Sequence, residues 1–282
     1  MGSDDGRQLM GVMLFCCVVA VSATARAQTP TSMADVFHAV RDGQVKVIDL
    51  TYSVDEHTPY WPEETPGTPF HASIAATYQH DGYFARNLAM PEHFGTHMDA
   101  PVHFDPHGET VDQLAVEKFL SPAVVIDVSE AVKSNDDYRV SVQDVESWVK
   151  AHGPVPQEAL VLIRTGWGAR WPSQRKYMNA DSKGVLHFPG LSLGAAHYLL
   201  EHAHPVGIGI DTASIDYGLS KNFEVHHLTL SAGLYHLENV ANLGKLPATG
   251  ISVIALPLKL RGGSGSPARV LALIPTQASV HY

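Results

Sequence analysis

Cysteine is almost absent from this 282-residue sequence, and its two cysteines, Cys16 and Cys17, are adjacent and close to the N-terminus. The chain beyond them therefore offers no disulfide, no thiolate ligand for zinc and no cysteine nucleophile. Basic residues are also few, because 19 lysines and arginines stand against 29 acidic residues, for a net charge of −10. That balance argues against nucleic acid or an anionic membrane surface as a partner, since both require a basic face.

Long apolar runs are missing too, except near the N-terminus. Outside residues 9–25, no stretch is apolar for long enough to span a bilayer. Arg7 precedes that run, and residues 25–27 after it have the A-x-A pattern of a cleavage site. This order predicts a secretory signal peptide over residues 1–27 and a periplasmic or secreted mature protein, with an uncleaved membrane anchor as the alternative.

The rest of the chain has an ordinary globular composition, with 45% hydrophobic and 17% charged residues over the whole sequence. Neither a repeat of fixed period nor a clear linker interrupts it, so we expect one domain over residues 28–282. Apolar and β-branched runs predict strands at residues 45–51, 123–129, 160–165, 206–211, 252–257 and 269–274. Serine-capped segments predict helices at residues 141–153 and 192–203. Helices and strands alternate in the middle while the ends are strand-rich, which favours a mixed-sheet α/β fold.

A dense group of ligand-type side chains lies in the stretch HFGTHMDAPVHF, residues 93–104. They are His93, His97, Asp99 and His103. Even numbers of residues separate them, so in an extended segment all four side chains point to one side. Imidazole and carboxylate groups that converge in this way suit Zn²⁺ or Mn²⁺. The spacing therefore predicts a metal site, with a set of surface histidines on an edge strand as the alternative.

Further metal ligands must come from elsewhere, because a few residues of one segment rarely complete a catalytic site. The best remote source is the stretch VHHLTLSAGLYHLEN, which begins at Val225. Glu238 stands among apolar residues there, and a buried carboxylate needs a partner such as a cation. Either His226 or His227 is the candidate histidine of this stretch. For both of them, and for His236, an ordinary hydrogen-bonded histidine of a helix or loop is the alternative.

The residues GLSLG at positions 190–194 match the G-x-S-x-G pattern of serine hydrolases, with Ser192 as the nucleophile. Asp211 or Asp216, and then His226, follow in the chain order of such a triad. A nucleophile elbow needs a strand directly before the serine, whereas here a proline stands three positions upstream. We therefore interpret Ser192 as the N-cap of the following helix and keep a serine esterase as an alternative.

The 93–104 stretch resembles the H-x-G-T-H-x-D-x-P-x-H signature of the cyclase family, which includes bacterial kynurenine formamidases and isatin hydrolases. Three further segments are similar to blocks of that family. They are VIDLTYSVDEHTPYWP, FPGLSLGAAHYLLEHAHPVGIGIDTASIDYG and HHLTLSAGLYHLENVANLGKLP. Together these segments extend the resemblance over nearly all of the predicted mature chain.

The resemblance implies a swivelling-type β/β/α fold, a homo-oligomer, and hydrolysis of amide or ester carbonyls with one or two Zn²⁺ or Mn²⁺ ions. The residues that it implies as metal ligands are His93, His97 and Asp99 for a first ion, and His226 and Glu238 for a second ion that Asp99 bridges. His103 takes the position of the general base. Trp61 takes the position of an aromatic residue that lines the substrate pocket.

The expected function is a metal-dependent hydrolase that cleaves the C–N bond of an aryl formamide with an activated water. Asp211 and Glu238 follow the formamidase-like pattern, which supports this choice. Hydrolysis of a small cyclic amide or lactone is the alternative, because NLGKLP and LKLRGGSGSPARVLALIP resemble the isatin-hydrolysing members. A metal-binding module without activity is a further alternative. The expected partner is thus a small aromatic amide or lactam.

Overall fold

The computed structural model describes residues 32–62 and 69–276, so the predicted signal peptide lies outside the described part of the chain. We number the strands of that part in chain order. They are β1 (Val45–Asp49), β2 (His71–Ala76), β3 (Ala85–Ala89), β4 (His97–Asp99), β5 (Leu120–Asp127), β6 (Arg139–Val140), β7 (Leu160–Arg164), β8 (Gly190–Leu191), β9 (Gly207–Ile210), β10 (Tyr235–Glu238), β11 (Ile251–Pro257) and β12 (Gly265–Pro275).

The α-helices of the same part are short to medium in length. They are α1 (Met33–Arg41), α2 (Tyr78–Asp81), α3 (Ser129–Val132), α4 (Val142–His152), α5 (Gln174–Met178), α6 (Leu193–His202) and α7 (Glu224–Ser231). Single turns of 3₁₀ helix occur as well, and the one that matters for the site is Pro101–His103. Within residues 32–62 and 69–276, no helix combines the length and the apolar character needed to cross a membrane.

Seven strands close into a barrel in the order β12-β11-β5-β7-β9-β10-β4, and β4 pairs back onto β12. The long strand β12 makes this closure possible, because one of its edges pairs with β11 while the other serves both β4 and β1. Strands β5, β7, β9 and β10 run parallel, whereas the remaining pairings of the barrel are antiparallel. The predicted mixed-sheet α/β fold is thereby confirmed.

The alternation of side chains along each strand divides the hydrophobic core into two layers. In β7, Leu160 and Leu162 point into the barrel, where they join the inward side chains of the other strands. Val161 and Ile163 point outwards and pack against α4 and α6. Trp148 of α4 fixes this outer layer, since its indole N–H donates a 2.7 Å hydrogen bond to a β5 carbonyl.

The six predicted strands and the two predicted helices are all present, with ends that shift by up to four residues. Strand β10 and helix α7, which help to build the candidate site, were not predicted, and β4 is the part of the predicted extended segment 93–104 that forms a strand. The glycine-rich stretch 262–267 is a turn only in its first half, because β12 already begins at Gly265. A Cβ on Gly265 would lie 2.5 Å from Cε1 of His93, so a glycine is required for this close approach.

Gly190 of β8 packs closely against the backbone of residues 216 and 217. A Cβ there would lie 2.2 Å from the backbone nitrogen of Tyr217 and 2.4 Å from the carbonyl carbon of Asp216. We expect Gly190→Ala to lower the free energy of unfolding by at least about 1–3 kcal/mol, because backbone cannot yield as a side-chain end can. Urea denaturation measures this change.

Gly194→Ala is the matched control, since it adds the same methyl group four residues later. In α6 the new Cβ would lie 3.5 Å from a methyl group of Val142, an ordinary contact. Alanine at a helical position is expected to stabilise the fold by about 0.5–1 kcal/mol. Equal unfolding free energies for the two variants would contradict this account of Gly190.

Candidate metal centre

The antiparallel pair of β4 and β10 carries four ionisable side chains on one face of the barrel wall. His97 lies opposite Glu238, and Asp99 lies opposite His236. The residues between them point into the barrel, because side chains alternate along a strand. All four are buried, with at most 5% of their surface exposed. The register of two short strands thus creates a buried ionisable cluster on the outer face of the barrel.

Two further histidines approach this cluster from other elements. His226 of α7 places Nε2 3.2 Å from Glu238 Oε1 and 3.6 Å from Asp99 Oδ2. His93, just before β4, places Nδ1 2.7 Å from Asp99 Oδ1. His103 stacks on His93 with 4.0 Å between ring centroids. The structure therefore brings together the five residues predicted as metal ligands and the predicted base.

The extended segment predicted for residues 93–104 is wrong in part. Only His97 and Asp99 share a strand, and for these two the spacing argument holds. Gly95 has a φ of +65°, so the chain bends between His93 and β4. After β4 the chain enters the 3₁₀ turn that contains His103. The side chains converge because the backbone bends twice around the cluster, not because one strand carries them all.

The two carboxylates divide the cluster into two halves. Asp99 Oδ1 lies 3.2 Å from Nε2 of His97, on the side of His93, while Oδ2 faces His226 and His236. Glu238 repeats this division, since Oε2 lies 3.5 Å from His97 Nε2 whereas Oε1 faces His226. Each half therefore combines imidazole nitrogens with one oxygen from each carboxylate.

Hydrogen bonds outside the cluster determine which nitrogen of His97 and His226 points inwards. Nδ1 of His97 donates to the Gly95 carbonyl at 2.9 Å, and Nδ1 of His226 donates to Asp216 Oδ2 at 2.7 Å. In the neutral form of both rings the unprotonated nitrogen is therefore Nε2, which faces the carboxylates. Metal-binding histidines are typically held in this way, with the second nitrogen donating to a carbonyl or a carboxylate.

His93 is held by the loop before β12 rather than by its own neighbours. Its Nε2 lies 3.0 Å from the Ser264 hydroxyl, whose own proton goes to Glu92 Oε2 at 2.9 Å. The hydroxyl therefore accepts from Nε2, which leaves Nδ1 to face Asp99. Ser264 and Glu92 were not recognised in the sequence, because nothing in the local pattern links two residues that are 172 positions apart.

The buried carboxylates of the cluster favour positive charge on the groups around them. Burial by itself would raise the pKa of Asp99, but the imidazoles of His226, His236 and His93 lower it well below the usual range. For His97, burial acts to lower the pKa, yet the adjacent carboxylates raise it to about 9. The cluster as a whole therefore attracts positive charge.

Two atoms of the cluster have no hydrogen-bond partner, which tests whether a metal fits. Among the described residues, four buried side-chain atoms have no hydrogen-bond partner. Two of the four belong to this cluster, Asp99 Oδ2 and His236 Nδ1. A buried acceptor without a partner is costly, and a cation bound by oxygen and nitrogen would satisfy both. The residues present therefore fit a metal ion.

The cluster opens into a cavity of about 220 Å³ with largely aromatic walls. Its lining includes Tyr60, Trp61, Phe104, Phe223, His93 and His103. Trp61, the residue predicted to contact substrate, packs near the rings of Phe188 and Phe223. Removal from water lowers the pKa of His103 to about 3 against the opposing charge of Asp99, and the neighbouring imidazoles lower it further. His103 is thus a neutral imidazole beside the cavity.

The sequence left two questions open, whether His226 or His227 belongs to the site and whether Ser192 is a nucleophile. The positions of these residues answer both. His226 is buried in the cluster, whereas His227 is exposed. Ser192 is the N-cap of α6, where its hydroxyl accepts a 3.2 Å hydrogen bond from the Ala195 amide. It is not among the described residues that line the cavity. Asp211, a triad candidate, accepts hydrogen bonds from the backbone of residues 165 and 166. The geometry does not support a serine triad.

The chain is similar in sequence to one protein family and to several of its members. A family model described as "Putative cyclase" matches residues 48–217. An isatin hydrolase of Roseibium aggregatum is 34% identical over 249 residues, which cover 83% of this chain and 93% of that protein. A kynurenine formamidase of Bacillus cereus is 29% identical over 230 residues, which cover 79% of this chain and 95% of that protein.

Solved structures give the same result. Isatin hydrolase A from Ralstonia solanacearum superposes with a TM-score of 0.81 at 35% identity, covering 89% of this chain and 100% of that chain. An isatin hydrolase bound to the product analogue thioisatinate superposes with a TM-score of 0.80 at 32% identity, covering 86% and 97%.

A substitution at Asp216 tests whether the hydrogen bond to Nδ1 of His226 supports metal binding. We expect Asp216→Asn to weaken metal binding about 10–100-fold, because the amide no longer holds His226 in the tautomer that directs Nε2 inwards. Competition with a chromophoric chelator measures the affinity. Asp137→Asn is the control, since Asp137 bonds to His187 at 2.9 Å in a histidine–aspartate pair away from the cluster. Equal affinities for both variants would contradict the role of Asp216.

Proposed function

The chain belongs to the cyclase family, and on this basis we propose that it is a metal-dependent hydrolase that cleaves the C–N bond of a small aromatic amide. One observation carries the proposal. A buried cluster of inward-facing imidazole nitrogens and two carboxylates adjoins a cavity with aromatic walls. A metal-binding module without activity needs neither the cavity nor a neutral histidine beside it, so the geometry favours an enzyme.

We propose Zn²⁺ or Mn²⁺ as the metal. The donors combine imidazole nitrogen with carboxylate oxygen, a mixture that suits both ions. His93 and His97 with Asp99 would hold one ion, and His226 and Glu238 would hold a second. The separation of the oxygens of each carboxylate into two halves supports two ions rather than one.

The residues around the cavity divide the work of amide hydrolysis. A bound ion supplies a water of lowered pKa and polarises the carbonyl of the amide. In this proposal His103 is not a metal ligand, although it offers a donor atom within 4.8 Å of donor atoms of His93 and Asp99. As a neutral imidazole it accepts a proton from water and returns it to the departing nitrogen. Trp61 and Phe223 offer ring faces and edges on which an aromatic substrate packs.

The preferred substrate in this proposal is a cyclic aromatic amide such as isatin. The relatives named for isatin hydrolysis show higher identity to this chain than the formamidases do, and their structures superpose closely. An aryl formamide such as N-formylkynurenine is the second candidate. Glu238 supports it, because this residue follows the formamidase-like pattern and its carboxylate points into the cluster.

A hydrolysis assay with variants tests the proposal. Protein loaded separately with Zn²⁺ or Mn²⁺ is expected to open isatin or to deformylate N-formylkynurenine, and a chelator is expected to abolish the activity. His103→Ala is expected to lower kcat about 100–10,000-fold, the usual effect of removing a general base. Metal content is measured in parallel, because the variant should keep its ions.

Ser192→Ala is the matched control for a serine mechanism. It is expected to keep kcat and to lose about 1 kcal/mol of stability, since it removes a helix N-cap. A protein that resists the chelator and is inactivated by Ser192→Ala would contradict the metal mechanism. Full turnover by metal-loaded His103→Ala would contradict the assignment of the base alone.

We propose that residues 1–27 direct the protein to the periplasm or outside the cell, which cell fractionation and N-terminal sequencing test. We also propose a homo-oligomer. The hairpin of β2 and β3 supports it, because Ile74, Phe84 and Leu88 are each more than half exposed there and such apolar surface is commonly covered by a partner. Light scattering with size exclusion measures the mass.

A further inference from the structure

We infer that His236 is itself a metal ligand, through Nδ1, and that it completes the second half of the cluster with Asp99, His226 and Glu238. This inference rests on the proposed metal-dependent function and adds a residue to it. All four residues are buried, and each offers one donor atom within 4.8 Å of the others. The family resemblance implied His226 and Glu238 as ligands but gave no role to His236, for which the sequence left an ordinary hydrogen-bonded histidine as the alternative.

The hydrogen bonds of Thr229 determine which nitrogen of His236 carries the proton. The Thr229 hydroxyl donates its only proton to the Val225 carbonyl at 2.6 Å, one turn earlier in α7. The same oxygen lies 2.7 Å from Nε2 of His236, so there it must accept. Nε2 is therefore protonated, and the lone pair of the neutral ring is on Nδ1.

That lone pair points at another acceptor. Nδ1 of His236 lies 3.6 Å from Asp99 Oδ2, and neither atom has a hydrogen-bond partner. His236 is fully buried and Asp99 is 1% exposed, so water does not serve either atom from the surface. Two facing buried acceptors need something positive between them. Because Nδ1 has no proton to share, a cation is the group that fits.

The strand register gives an independent reason for the same assignment. His236 stands opposite Asp99 on the ladder in which Glu238 stands opposite His97. One half of the cluster then has His93 and His97 with one oxygen from each carboxylate. With His236 included, the other half has the same composition, two imidazoles and two oxygens. Without it, that half would lack one nitrogen although a fully buried imidazole faces it.

Two substitutions at position 236 separate a ligand from a structural histidine. Asparagine places a polar atom near the position of Nδ1, whereas glutamine reaches the position of Nε2 and keeps the contact with Thr229. A ligand role predicts that His236→Gln loses one of two Zn²⁺ equivalents or binds it more than about 100-fold more weakly, beyond the effect of an outer hydrogen bond. It also predicts that His236→Asn binds more tightly than His236→Gln. A purely structural role predicts the reverse order.

Zn²⁺ is titrated against a competing chelator, and bound metal is counted by elemental analysis. Thr229→Val is the control, because it removes the hydrogen bond but leaves the ring; we expect both ions to stay and affinity to fall about 10-fold. Wild-type protein labelled with ¹⁵N-histidine gives a result that does not depend on folding of the variants. Addition of Zn²⁺ should shift the Nδ1 resonance of His236 and leave Nε2 protonated.

The outcomes distinguish this inference from the proposed function. Wild-type protein that binds no Zn²⁺, Mn²⁺ or Co²⁺ would overturn the proposed function and the inference with it. Wild-type protein that binds two ions while His236→Gln keeps both at unchanged affinity would overturn the inference alone. An Nδ1 resonance that does not respond to Zn²⁺ in the wild-type protein would do the same.

Discussion

The carboxylate of Asp99 is the constraint on which the rest of this site depends. It is almost completely buried, and its two oxygens face two different pairs of histidines. Such a group costs several kcal/mol to bury unless positive charge and hydrogen bonds surround it. The surrounding structure supplies imidazoles whose outer nitrogens are each fixed by a carbonyl, a carboxylate or a hydroxyl. When these rings are neutral, the inward nitrogens are the ones that carry the lone pairs, and a metal ion would satisfy them.

The strand pairing that closes the barrel also brings the residues of the candidate metal centre together. Strand β4 lies between β10 and the first residues of β12, so it is in place only when the barrel is closed. A register slip of one residue would turn His97 and Asp99 into the apolar interior and bring Met98 out. The hydrophobic pattern of this short strand therefore selects the register that aligns the ligands, and Gly265 of β12 leaves the space that His93 occupies.

The sequence predicts the elements and residues whose signal is local. Strand β7 is recognisable because both of its faces are buried and the run is apolar throughout. His97 and Asp99 are recognisable because a period of two links them. The role inferred for His236 has no local signal, since it depends on a proton that Thr229 gives to Val225 and on a register with β4. Its position two residues before Glu238 was the one available signal, and it has meaning only once β10 is known to be a strand.

The 3₁₀ turn after β4 separates the two roles that we propose for one short stretch, metal binding and proton transfer. His97 and Asp99 lie on a strand with neighbours on both edges, which holds their side chains rigidly. Pro101 then starts a turn that carries His103 out of the ladder and onto the ring of His93, beside the cavity. A fourth residue in phase on an extended strand would have faced the ion as another ligand. The bend instead places the imidazole of His103 beside the cavity, where the proposed role as a base requires it.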